Sequence, residues 1–193
     1  MSEKEILTFK TPAEFEKWLR KYHATSPGLW LRFLKKAHKE KTRAKSITYA
    51  EAFDVSLCYG WIDSTPNKLD AISYIQRFSP RGRKSIWSKL NREHVARLIQ
   101  TKKMRPSGLA HVESAKKDGR WAQAYDSPAN MKVPADFLRA LAQYPKAERF
   151  FTTLNKSNTY AIAFRLNTAK KPDTRAKRMQ VIIAMMRRQE RFH

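Results

Sequence analysis

The run Arg77-Phe78-Ser79-Pro80-Arg81-Gly82-Arg83-Lys84-Ser85-Ile86-Trp87-Ser88-Lys89-Leu90-Asn91 interleaves guanidinium and ammonium groups with two aromatic rings. Guanidinium groups grip phosphate or carboxylate through paired hydrogen bonds, and an indole supplies a flat wall beside them. The chemistry on offer is recognition of an anion, with Arg77, Arg81, Trp87 and Lys89 as its binding residues. A solvated basic turn with Trp87 filling core is the competing reading, and the residues alone leave both open.

Shortly before it comes the densest chemical stretch of the chain, Glu51 through Asp63. Asp63 follows Gly60 and Trp61 in an apolar segment, where an unpaired carboxylate is costly. It is therefore expected to meet a cation, Arg77 or Arg81, either as a structural ion pair or as part of a ligand site. Tyr59, Trp61 and Asp63 on one side, and Arg77, Arg81, Trp87 and Lys89 on the other, would then line a shared recess. Asp63 with Arg77 is also the pairing from which a small enzyme could draw an acid/base and an anion-stabilising group. Two residues make a thin signature, and no catalytic residue is assigned.

The remaining reactive side chains read as structural. Glu51 is the acid of a Thr48-Tyr49-Ala50-Glu51 capping box, and Asp54 sits near the same helix start, where negative charge is favourable. Cys58, the single cysteine, falls near a helix C-terminus, which disfavours a thiolate, so a buried and inert thiol is expected. One cysteine also excludes a disulfide framework and a cysteine zinc site. The five histidines, His23, His38, His94, His111 and His193, are isolated in sequence, so no metal is expected. The five glycines are scattered, without a phosphate-cradling loop, and no cofactor is expected. A third basic junction, Asn167 to Arg178, leads into a proline-started helix and reads mainly as a solvated face.

Charge sets the class of partner. The chain has 193 residues, with 40 Lys+Arg against 17 Asp+Glu and a formal charge of +23. Residues 77–105 hold ten basic residues and one acid; residues 129–193 hold fourteen and four. Such a field gathers anions, more strongly at low salt. The expected partner is an anionic small molecule or a nucleic acid. The charged start, Met1-Ser2-Glu3-Lys4-Glu5, lacks the apolar core of an export signal. No stretch reaches the ~20 apolar residues of a membrane span. The expected compartment is the cytoplasm.

Positioning these residues requires an α+β fold: a small antiparallel sheet with helices over residues 1–128, then a helical part over 129–193. Thr11-Pro12-Ala13-Glu14 opens a helix that uses Phe15, Trp18, Leu19 and Tyr22 and ends near His23. Leu29–Leu34 alternates as a strand. Lys35–Lys45 is polar and reads as a mobile connection. A helix from Thr48 stops at Gly60, Trp61–Asp63 is extended, and Ile72–Phe78 is a strand returning beside Trp30–Leu34. Leu90–Lys103 and Pro106–Lys117 are helices, and 121–128 is irregular. Helices follow over 134–144, 145–154, 158–167 and 172–191, three of them opened by Pro134, Pro145 and Pro172.

Several of these blocks together resemble one family. They are Thr48-Tyr49-Ala50-Glu51-Ala52, Cys58-Tyr59-Gly60-Trp61-Ile62-Asp63, Gln76-Arg77-Phe78-Ser79-Pro80-Arg81, Ser85 to Asn91, Met104 to Gly108, Gly119-Arg120-Trp121 with Ala124-Tyr125-Asp126, and Thr168 to Pro172 with Thr174-Arg175. The chain is similar, from about Gly28 to its end, to the YdeI/OmpD-associated, or bacteriocin-protection, family. That resemblance implies a role in tolerance of bacteriocins, cationic peptides and other envelope stress, and an outer-membrane porin as partner. It implies no reaction, cofactor or catalytic residue. A porin contact sits awkwardly with a chain expected to stay in the cytoplasm.

Overall fold

A computed structural model describes residues 5–193, so most of the charged Met1–Glu5 run lies outside the described residues. The chain divides into two compact units, one of residues up to Trp87 plus Asn91–Gln123, the other of Ser88–Leu90 plus Ala124–His193. No helix among the described residues is long and apolar enough to cross a membrane.

The first unit is α+β. Strand β1 (Ile6–Leu7) precedes helix α1 (Pro12–Tyr22) and strand β2 (Leu29–Leu34). Helices α2 (Lys36–Thr42) and α3 (Tyr49–Cys58) lead to β3 (Trp61–Asp63), β4 (Asn67–Lys68) and β5 (Ser73–Pro80). Helix α4 (Lys89–Gln100) crosses from the second unit into the first, where α5 (Pro106–Lys117) follows.

Local signals place these elements. Thr11 accepts a hydrogen bond from the Glu14 N–H, and Pro12 occupies the first helical turn of α1. At α3 the capping box is complete: Thr48 Oγ1 accepts from the Glu51 N–H, while the Glu51 carboxylate accepts from the Thr48 N–H at 2.8 Å. Gly60 then turns the chain at φ +76°.

Strand β5 organises the sheet. It pairs antiparallel with β2 on one side and with β3 and β4 on the other. Contrary to an all-antiparallel expectation, the sheet is mixed, because β1 adds to the outer edge of β2 in parallel. On the core face Leu29, Leu31 and Phe33 stand beside Phe78, and Phe15 and Leu19 of α1 pack there, all at most 1% exposed. Phe15 meets Phe78 edge-on at 6.0 Å.

The polar Lys35–Lys45 segment is not the irregular connection expected from its charge density; it folds as α2. Lys35 Nζ anchors its start by donating to the carbonyls of Asp70 and Ala71, at 3.1 and 2.9 Å. Lys36 and Glu40 add a weak one-turn pair at 3.7 Å.

The second unit is helical: α6 (Ala135–Ala142), α7 (Pro145–Thr152), α8 (Lys156–Asn167) and α9 (Pro172–Arg187). Phe137, Leu141, Ile162, Leu166, Ile182 and Met186 form its core. Asn158, fully buried, ties the chain end to α8: its Oδ1 accepts from the Phe192 and His193 N–H groups, at 2.8 and 3.2 Å. In the basic junction leading into α9, Lys170, Lys171 and Lys177 are exposed, while Arg175 forks onto Asp136 at 2.6 and 2.9 Å and Arg178 donates to the Arg165 carbonyl.

The first unit's tightest approach is between α5 and the end of α3, where a Cβ on Gly108 would overlap the Cys58 carbonyl. Gly108→Ala is expected to cost about 1–3 kcal/mol, as over-packing against backbone does. Gly82→Ala, whose Cβ would meet only Ser85 Oγ at 3.4 Å, should leave the urea midpoint nearly unchanged. Equal midpoints for the two variants would contradict the packing described.

Candidate functional site

The register of β3 on β5 decides where the expected site residues go. Asp63 pairs with Phe78 and shares its face. Arg77, one residue earlier, therefore points to the opposite face, beside Trp30. The cation expected for Asp63 is replaced by neutral donors. Tyr49 Oη donates to Asp63 Oδ2 at 2.9 Å, and Gln76 Nε2 donates to the same oxygen at 2.7 Å. Burial, reinforced by the Asp63 charge, pushes the Tyr49 hydroxyl far above its usual range, so it stays a donor. Arg77 instead donates to the Pro27 carbonyl at 2.7 Å. An acid/base pairing of Asp63 with Arg77 has no shared face on which to act.

Gln76 was missed from sequence as a partner, although strand alternation carries the signal once the register is known. It lies two residues before Phe78 on the same strand face, and a strand pairing Asp63 with Phe78 brings it alongside.

Trp61 belongs to the core, 1% exposed, edge-on to Trp18 at 5.7 Å and donating Nε1–H to the His23 carbonyl at 3.2 Å. Arg81 is 3% exposed. Its guanidinium stacks on Trp87 at 3.8 Å, and Nη1 donates to the Ile86 carbonyl at 2.9 Å. Trp87 in turn packs edge-on against Trp121 at 4.9 Å. These two members of the expected constellation do meet.

A residue not singled out from sequence completes that arrangement. Arg120, 7% exposed, donates to the Ser85 carbonyl at 3.0 Å while its Nε is held by Asp118 at 2.7–2.8 Å. Two inward guanidiniums thus clamp the turn at the Ser85 and Ile86 carbonyls. Gly82, Arg83 and Lys84 at its tip stay exposed. Beside it, burial first and then the Arg81 and Arg120 charges push the His111 imidazole below its ordinary range. Lys89, in the second unit, pairs with Asp126 at 2.8 Å.

Tyr59 lies elsewhere. It is 5% exposed and donates from Oη to Glu16 Oε1 at 3.4 Å. The same carboxylate takes the Arg105 guanidinium and lies 3.9 Å from Arg20. Two cavities adjoin this group. One, of about 470 Å³, is lined by Glu16, Glu51, Asp54, Cys58, Tyr59, Lys103 and Arg105 among others. The other, of about 360 Å³, is lined by Arg20, His23, Tyr59, Arg105, Pro106 and Ser107. Glu16 and Arg105 are 89 residues apart in the chain, so no local spacing announces them. In the larger cavity Asp54 is engaged by Arg97 at 2.7 Å and by His94 at 2.8 Å. Burial raises the Asp54 carboxyl, but the bonds to Arg97 and His94 outweigh it and hold the group below its usual value.

Cys58 faces this cavity as a neutral thiol. Burial, then the negative charges of Asp54 and Glu16, push it up to about 11, against the weaker opposing pull of Arg105 and Lys103. A raised thiol pKa keeps the thiolate scarce throughout the physiological range and delays its appearance to strongly alkaline pH. Iodoacetamide at pH 8 is expected to label folded protein at least ~10-fold more slowly than the urea-unfolded chain. Equal rates would show an accessible, activated thiol instead.

Comparison with known proteins supports the expected family over a shorter stretch than the resemblance from about Gly28 to the chain end. Residues 7–111 match the model described as Domain of unknown function (DUF8412). Residues 130–189 match the model described as Bacteriocin-protection, YdeI or OmpD-Associated. No curated protein and no solved structure matches the chain. With more than half its length in the first match, the chain belongs to the family described as Domain of unknown function (DUF8412), while residues 130–189 carry the similarity to the bacteriocin-protection, YdeI or OmpD-associated family.

Proposed function

We propose that this is a binding protein of bacteriocin-protection type, which contributes to stress tolerance by holding a small anionic ligand at the braced basic turn. The supporting observation is the clamp itself. Arg81, stacked on Trp87, and Arg120, tied to Asp118, both hydrogen-bond carbonyls of the 81–87 turn from inside the fold. Buried cations of this kind are expensive unless partnered; Arg81 has the Ile86 carbonyl and the Trp87 ring, and Arg120 has the Asp118 carboxylate, Ser114 Oγ and the Ser85 carbonyl. The result is a rigid platform whose exposed tip carries Arg83 and Lys84.

A braced loop loses less backbone freedom on binding an anion than a mobile one, which favours binding at its tip. The overall +23 charge raises the encounter rate with any such ligand. In this reading Arg81 and Trp87 are positioning residues and the exposed tip makes the contact. A nucleic-acid role draws less support. Phe78 and Trp87, two of the rings interleaved with the basic residues, are 0% and 2% exposed and cannot stack on bases.

Pyrophosphate titrated calorimetrically at low salt is the direct probe. The wild-type protein should bind it, and Arg83→Ala/Lys84→Ala should weaken binding about tenfold, the loss expected for one or two charge-assisted contacts. The circular dichroism spectrum should not change. Absence of pyrophosphate binding, or equal affinity in the double variant, defeats this proposal. Binding of random single-stranded DNA with a steep logarithmic salt slope, in place of pyrophosphate, would put a nucleic-acid function in its stead.

A further inference from the structure

The paired cavities around Tyr59 and Arg105 form a second site, independent of the basic turn. Both cavities are lined by these two residues, so Tyr59 and Arg105 mark a common boundary. Their volumes, about 470 and 360 Å³, fall within the roughly 300–1,000 Å³ range of small-molecule sites.

Their linings differ in sign. The smaller cavity carries two cations, Arg20 and Arg105, and no acid. The larger carries three carboxylates, Glu16, Glu51 and Asp54, against Lys103 and Arg105. Each carboxylate has structural commitments: Glu16 to Arg105, Glu51 to the Thr48 cap, Asp54 to Arg97 and His94. A carboxylate accepts up to about four hydrogen bonds, so such commitments do not exhaust it. Three acids in the lining of one cavity, in a protein with only 17 in its whole sequence, locally offset the basic field. Between the charges lie apolar side chains, Ala13, Val55 and Leu98, and the Tyr59 ring.

Arg105, its side chain 43% exposed, lines both cavities. Its Nη2 is paired with Glu16, while its Nε is buried with no hydrogen-bond acceptor among the described residues. The exposed part of that side chain, and not the sealed Nε, is what a carboxylate entering either cavity would meet.

We propose that the two cavities together form a groove for a short zwitterionic peptide. Its carboxylate lies toward Arg20 and Arg105, its ammonium toward Glu51 and Asp54, and an apolar side chain rests on Val55, Leu98 and Tyr59. A simple anion satisfies only one end, and a simple cation only the other. Opposite charges on one ligand match both linings at once.

The test is calorimetric titration of the full-length protein with L-alanyl-L-phenylalanine, its N-acetyl derivative and its C-terminal amide. The free dipeptide should bind. Each blocked form, which lacks one charge, should bind at least ~10-fold more weakly, the loss of one charge-assisted contact. Arg20→Glu, at a side chain 72% exposed and so safe for folding, should weaken the free dipeptide by a similar factor and leave the amide unaffected. No binding of the dipeptide, or equal affinity for all three compounds, overturns the proposal. Pyrophosphate binding at the turn should be the same in Arg20→Glu as in wild type, which keeps this site's failure distinct from that of the turn.

Discussion

The two-residue side-chain period of β5 governs where chemistry can occur in the first unit. This strand receives β2 on one edge and β3 and β4 on the other, so its alternation is imposed on every neighbour. Phe78 must point into the core, where Phe15 and Phe33 surround it. Once it does, Gln76 and Asp63 share its face and Arg77 cannot. A slip of one residue would exchange the faces and expose Phe78. The hydrophobic requirement at one ring thus decides which polar groups can cooperate several residues away.

The same requirement explains why a carboxylate persists at Asp63 without a cation. It is satisfied by two neutral donors, one of them Gln76, itself only 4% exposed and also bonded to the Ser64 carbonyl at 2.6 Å. The donor end of the amide is used by β3 and its continuation. This is a structural joint that pins the short strand to β5.

What could be read from the chain separates by range of interaction. Helix starts were legible because Thr11-Pro12 and Thr48…Glu51 act within four residues. The β2 and β5 strands were legible from alternation. Strand β1, two residues long, carries no periodicity to detect. Helix α2 was hidden because its anchor, Lys35 on the Asp70 and Ala71 carbonyls, lies about one strand-pair away in sequence. For the site, adjacency in sequence identified the Arg81–Trp87 stack, whereas Arg120 and the Glu16–Tyr59–Arg105 group depend on tertiary closure. Aromatic residues interleaved with basic ones suggested a stacking surface, yet Phe78 and Trp87 had to fill the core first.

The two sites answer differently to the field of the whole molecule. A net charge of +23 attracts an anion from a distance of about one Debye length, roughly 8 Å at physiological ionic strength, and added salt removes that attraction. A zwitterion has no net charge for this field to act on, and its encounter rate is largely indifferent to it. Inside a groove the balance shifts to contacts of a few ångströms in a lower effective dielectric, where local sign matters more than total charge. A strongly basic protein can therefore keep an acidic wall on α1 and α3 without repelling or trapping its ligand at long range. The proposed turn site would gain more from the field, and lose more in salt, than the proposed groove. Salt dependence alone then tells which of the two a bound molecule occupies.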